Sequence, residues 1–250
     1  MTQQAQAIEA LAADRDALLK IGAGLAESEW ESESGCPGWS VQSVVAHLGA
    51  LYAMVVDPST LPDVTGLPTE RAADVFVEQR RSWTAARVLA DYESVSTAAL
   101  AALEGLADQD FEVPLGDLGT YPASALPNAF AFDHFLHIRS DLFAPRGPLT
   151  STPPPSDELH LGPALDWVEA ALPQQNAPAL AGLRAAVEID LSGPGARLIR
   201  LGPGEAASRI TSDTDSFVRW VTQRTTWEAA GVLSSGDEGD LAIVRSLRVF

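Results

Sequence analysis

Along the first half of the chain, apolar residues recur every three or four positions, the period of a helix with one buried face. From Ala5 to about Leu25 the stripe is Ile8, Leu11, Ala12, Leu18, Leu19 and Ile21, and Gly22 and Gly24 weaken its end. After a turn at Pro37 and Gly38, Ser40 stands as an N-cap for a second helix over Val41 to about Val56, with Trp39 packing back as in a hydrophobic staple. Its stripe is Val41, Val44, Val45, Leu48, Tyr52 and Val55. The 57–68 segment, with Pro58 and Pro62, reads as a loop. From Thr69 the period returns through Phe76, Trp83, Leu89, Tyr92, Leu100 and Leu103, as one long kinked helix or two collinear ones. Asp108 to Pro122, with Gly116 and Gly119, is a connection. A fourth helix runs over Asn128 to Phe143, with Ser124 as its cap.

The segment from Pro145 to Glu158 holds five prolines and breaks the pattern as a stiff boundary. Beyond it the periods mix. Leu159 to Leu172 is helical; Ala186 to Leu191, Ala196 to Leu201 and Ser208 to Thr211 read as strands. Asp213 or Thr214 caps a helix through Val221, Trp227 to Leu233 reads as a last strand, and Leu241 to Leu247 as a last helix. The fold class is α+β. Residues 1–150 form an antiparallel four-helix bundle with a polar site in its core, and 158–250 a smaller α/β domain.

Composition changes this picture by exclusion. A net charge of −18 over 250 residues argues against nucleic acid and anionic membranes as partners. No window approaches the ~18 apolar residues of a membrane span, and the N-terminus lacks the apolar core of a signal peptide, so a cytoplasmic location is expected. Cys36 is the only cysteine, which excludes an intrachain disulfide and a Cys-rich zinc site. It reads as a small buried residue in a structured turn. There is no phosphate-binding loop in strand–helix context and no nucleophile elbow; GPGEA at 202–206 is a hairpin turn.

What chemistry remains lies on the second and fourth helices. Asp133 and His137 are four residues apart, hence on one helical face, among Phe130, Phe132, Phe135 and Ile138. A carboxylate and an imidazole on an apolar face need a partner. The pair either hydrogen-bonds to itself at the helix surface or holds a metal. His47, at the edge of the second helix's stripe, either packs as a neutral interface residue or faces that pair. His47, Asp133 and His137 together would be a two-imidazole, one-carboxylate set that suits zinc and does not exclude nickel or iron. Asp141, one turn on, is placed to accept from a ligand imidazole. His134 is a rival ligand, about 100° round the helix from Asp133, and His160 reads as an ordinary surface residue.

The stretch CPGWSVQSVVAHL resembles the N-terminal signature of the mycothiol-dependent maleylpyruvate isomerase family, within the DinB-like superfamily. FDHFLHIRSD is similar to that family's acidic-x3-His segment, and VEIDLSGPGARLIRLGPG, WVTQR and SSGDEGDLAIVRSL resemble its smaller C-terminal domain. The resemblance implies a DinB-like bundle whose divalent metal, usually zinc, is held by His47, Asp133 and His137, with Asp133 in place of the more usual Glu. It also implies mycothiol as co-substrate, a small electrophile as second substrate, and an active-site arginine, best matched by Arg224 with Arg219 as rival. Isomerase and thiol S-transferase, and monomer and homodimer, stay open. The competing class is a non-catalytic DinB-like binding protein for a small apolar ligand or a partner.

Overall fold

The computed structural model describes residues 3–106 and 109–250. The chain opens with α1 (Gln3–Gly24) and the short α2 (Glu27–Glu31). It continues with α3 (Val41–Val56), α4 (Thr69–Arg80) and α5 (Ala85–Glu104). A small hairpin of β1 (Glu112–Pro114) and β2 (Thr120–Pro122) leads to α6 (Leu126–Leu136), which runs on as a π-helical turn over His137–Leu142. The α1, α3, α5 and α6 helices form the four-helix bundle, and α4 lies outside it against α3. Residues 69–104 are two separate helices, because Thr84 caps the start of α5 by accepting from Arg87 N. Asp108, at the start of the expected connection, lies outside the described residues.

Ser40 caps α3 as its position suggested, accepting from Ser43 N at 3.2 Å. Ser124 does not cap α6; it sits in a 3-10 turn over Ala123–Ala125 that runs straight into the helix. Pro127 is then in the first turn, where its missing N–H costs nothing.

The remaining elements are α7 (Glu158–Gln175), α8 (Ala177–Leu180), β3 (Ala186–Ser192), β4 (Arg197–Leu201), β5 (Ala206–Asp213), α9 (Thr214–Val221), β6 (Leu233–Ser235) and α10 (Glu238–Arg245). Their four-stranded sheet has the order β4-β3-β5-β6. β3 pairs antiparallel with β4, Ile189 opposite Ile199, and parallel with β5, Ile189 beside Ile210. Alternation puts these residues, with Val187, Leu191 and Leu201, on one buried face, where they share a core with α7, α9 and α10. The strand expected over Trp227–Leu233 is instead a wound turn, closed by Ala230 N to Thr226 O and Val232 N to Trp227 O; pairing starts only at Leu233.

Two cores meet at α6. Phe132, Phe135 and Leu136 pack with α7 and the sheet, whereas Ala131, Ile138 and Leu142 pack into the bundle. The polar face between these two apolar faces carries Asp133 and His137. Among the described residues no helix is long and apolar enough to cross a membrane.

Candidate metal centre

α3 and α6 bring three side chains together. His47 Nε2 lies 3.5 Å from Asp133 Oδ2, and His137 Nε2 lies 3.4 Å from Asp133 Oδ1. The two imidazoles meet edge to face with ring centres 5.1 Å apart. These separations are long for hydrogen bonds. One donor atom from each of the three residues lies within 4.8 Å of the other two, close enough for all three to share one cation. Asp133 Oδ2 and His47 Nδ1 are buried with no hydrogen-bond partner. A buried carboxylate oxygen without a donor is costly, and a cation shared with both imidazoles removes the cost. The donor set therefore fits a divalent ion.

Electrostatics bind the three groups to one another. Burial alone would push the Asp133 carboxyl up, but the charges of His137 and His47 overrule it and hold Asp133 well below the usual carboxylate range. Burial likewise would pull His137 down, and the charge of Asp133 outweighs it, holding His137 well above its ordinary value. Without a cation the site is thus an ion pair, and a cation has to displace the imidazolium proton.

The far side of His137 is braced. Its Nδ1 lies 2.9 Å from Oδ2 of the fully buried Asp141. With Nδ1–H donating to Asp141, Nε2 is the nitrogen turned toward Asp133, and the one whose proton a cation would displace. Asp141 in turn accepts from Arg224 through Nη2 at 2.6 Å and Nε at 3.1 Å, and from Arg146 Nε at 3.3 Å. Against burial, the bond from His137 and the charges of His137 and Arg224 hold Asp141 below the usual carboxylate range. Arg146 also donates to Gly35 O and Arg224 O, and Gly35 N donates to Asp141 O at 2.7 Å. Gly35 has no room for a side chain there, since a Cβ would stand 2.9 Å from Asp141 Cα. The Cys36 sulfur comes within 3.6 Å of His137 Nδ1, so Cys36, His137 and Asp141 form a second cluster of donors. Both oxygens of Asp141 already accept from arginines, which leaves that cluster poorly suited to a cation.

The other candidates lie elsewhere. His134 turns away from Asp133: Nδ1 donates to Phe130 O at 2.9 Å and the ring packs on Tyr52 at 4.7 Å. Burial pulls His134 below its ordinary value and keeps it neutral. Arg219 pairs with Asp215 at 2.9 Å, one turn away on its own helix. His160, expected on the surface, is 5% exposed. Its ring lies between Asp157 at 2.6 Å and Asp14 at 3.4 Å, and Asp14 holds Arg139 through two bonds. Sequence reasoning missed Arg146 and Gly35 at the site. Gly35 meets Asp141 and Arg146 from more than 100 residues away and leaves no local signal, whereas Arg146 lies only five residues past Asp141, a nearness that spacing alone does not turn into a contact.

Comparisons with known proteins bear on the fold and the family. No curated protein sequence matches the chain. Two solved structures match in fold: the mycothiol-dependent maleylpyruvate isomerase, at 16% identity and a TM-score of 0.62, and a histidine-to-alanine mutant of it, at 15% and 0.61. Each likeness covers 95% of this chain and 95% of the other. The model of the mycothiol maleylpyruvate isomerase N-terminal domain matches residues 11–142, a span that holds His47, Asp133, His137 and Asp141. With more than half of its length matched by that model, the chain belongs to the family of the mycothiol maleylpyruvate isomerase N-terminal domain.

Proposed function

We propose that this chain is a metal-dependent enzyme, with zinc the preferred ion, that uses mycothiol to isomerise a small electrophile or to transfer the thiol sulfur onto it. One observation carries the reading: His47, Asp133 and His137 converge from two helices with one donor atom from each within 4.8 Å of the others, close enough to share one ion. Three protein ligands leave one position open, the arrangement of catalytic rather than structural sites. When bound, the ion supplies the positive charge that keeps a thiol as its thiolate near neutral pH. The residues of the chain do the rest. Asp141 fixes the tautomer of His137, so that Nε2 is free to ligate. Arg224 acts through Asp141 and is a positioning residue, holding the carboxylate from the second domain's side. Arg224 and Arg146 also set two guanidinium groups beside the site of a chain with net charge −18, a local field that favours an electrophile bearing a carboxylate.

The reading is tested by elemental analysis of protein purified without chelators, followed by thermal shift. About one zinc per chain is expected, along with stabilisation by mycothiol that appears only in the metal-loaded form and is lost in His47→Ala. Protein that takes up no divalent ion, or that mycothiol stabilises equally with and without metal, contradicts it.

A further inference from the structure

The two imidazoles of the site are covered by one aromatic side chain. The Trp39 indole lies with its centre 5.0 Å from the His47 ring and 6.3 Å from the His137 ring, nearly parallel to the latter. It is half-buried, and under it the His47 and His137 side chains are only 8% and 10% exposed. Its backbone is fixed. Trp39 N donates to Cys36 O at 3.0 Å, Ser34 N donates to Trp39 O at 2.8 Å, and Gly38 takes a φ of +80° that this tight turn requires. The polar edge of the ring is fixed separately: Nε1–H donates to Asp74 Oδ1 at 3.1 Å. Asp74 belongs to α4, the helix outside the bundle, and Arg71 donates to its other oxygen at 3.2 Å. The indole also walls a cleft of about 350 Å³ between the Cys36–Ser40 turn and α4.

A ligand imidazole leaves a metal by rotating its nitrogen off the ion while water takes its place. An aromatic ring packed against both imidazoles, tilted on His47 and stacked on His137, obstructs the rotation and slows the entry of that water. Resting on the metal reading above, we propose that Trp39 is a gate over the metal centre, latched by Asp74, which sets how fast a divalent ion enters and leaves. The stack does most of the gating, and the bond to Asp74 holds the stack in register. Trp39 thus positions the ligands without ligating, and α4 takes part in the site through a single hydrogen bond.

The experiment is zinc transfer from loaded protein to an excess of a chromogenic chelator, for the wild type, Trp39→Ala, Trp39→Phe and Asp74→Ala. Loss of an outer-shell group changes metal affinity by roughly 10–100-fold, and a release rate faster by on the order of tenfold is expected in Trp39→Ala. Trp39→Phe keeps an aromatic face and loses only the latch, so it should match Asp74→Ala, both between Trp39→Ala and wild type. Cobalt-substituted protein gives a second readout: the visible absorption bands should shift in Trp39→Ala and stay near the wild-type positions in Trp39→Phe. Asp74→Ala changes a half-exposed side chain outside the bundle, so it keeps the proposal falsifiable if Trp39→Ala fails to fold. A wild type that loads zinc, with release rates unchanged in both Asp74→Ala and Trp39→Phe, overturns the latch. Unchanged release and cobalt bands in Trp39→Ala overturn the gate and leave the metal reading standing. A wild type that loads no zinc overturns the metal reading and the gate with it.

Discussion

His137 carries two loads on one ring, and its pH behaviour follows from both. In the metal-free fold its pKa is raised and that of Asp133 is lowered, each by the other's charge against an opposing cost of burial. The His137 share of stability is full below its unfolded value of about 6.5 and is lost as pH rises through the raised one. The Asp133 share is full above about 3.9 and is lost as pH falls through the depressed one. Zinc needs His137 neutral, so its dependence runs the other way: affinity should climb with pH above neutrality, with protons released on binding. Titration calorimetry in buffers of different ionisation enthalpy measures that release. Affinity flat with pH, with no proton released, would contradict the assignment of His137. The i, i+4 spacing of Asp133 and His137 made their shared face readable from sequence. His160 was misjudged because Asp157 and Asp14 draw its ring inward, and Asp14 is 146 positions away on α1.

The element that decides the geometry is the π-helical turn over His137–Leu142. One of its faces gives His137 and Asp141 to the site. The other gives Arg139, 2% exposed, bonded twice to the buried Asp14 on α1 and once to Pro155 O in the proline segment. Leaving one partner of a buried ion pair alone costs about 3–5 kcal/mol. Denaturant unfolding of Arg139→Ala should show a loss of that size, and Asp14→Leu combined with Arg139→Met a much smaller one. A single-variant loss under about 1 kcal/mol would mean that the pair is not desolvated as the fold requires. The helix itself was legible in the Phe130–Leu142 period. The π turn was not, because a one-residue shift in backbone hydrogen bonding leaves no mark on composition or period. The break between α4 and α5 was equally hidden: Arg81–Trp83 holds neither glycine nor proline, and Thr84 alone signals the new start.

At the scale of the molecule, the C-terminal region reaches the candidate metal site through the Arg224–Asp141 pair, while α6 and α7 share one core. The proline segment marked a change of architecture in the sequence. The shared core did not show, because apolar side chains on α6 do not reveal which partner they will meet. If Arg224 works by positioning, Arg224→Ala should weaken zinc binding by on the order of 10-fold and leave the far-ultraviolet dichroism unchanged. Unaltered zinc binding in a folded variant would leave Asp141 sufficient alone. The central claim is that two helices hold one ion between His47, Asp133 and His137, and anomalous diffraction at the zinc edge from zinc-loaded crystals tests it most directly. The account expects a single peak about 2.0–2.2 Å from His47 Nε2, His137 Nε2 and an Asp133 oxygen. A peak between Cys36, His137 Nδ1 and Asp141, or no peak within reach of His47, would contradict it.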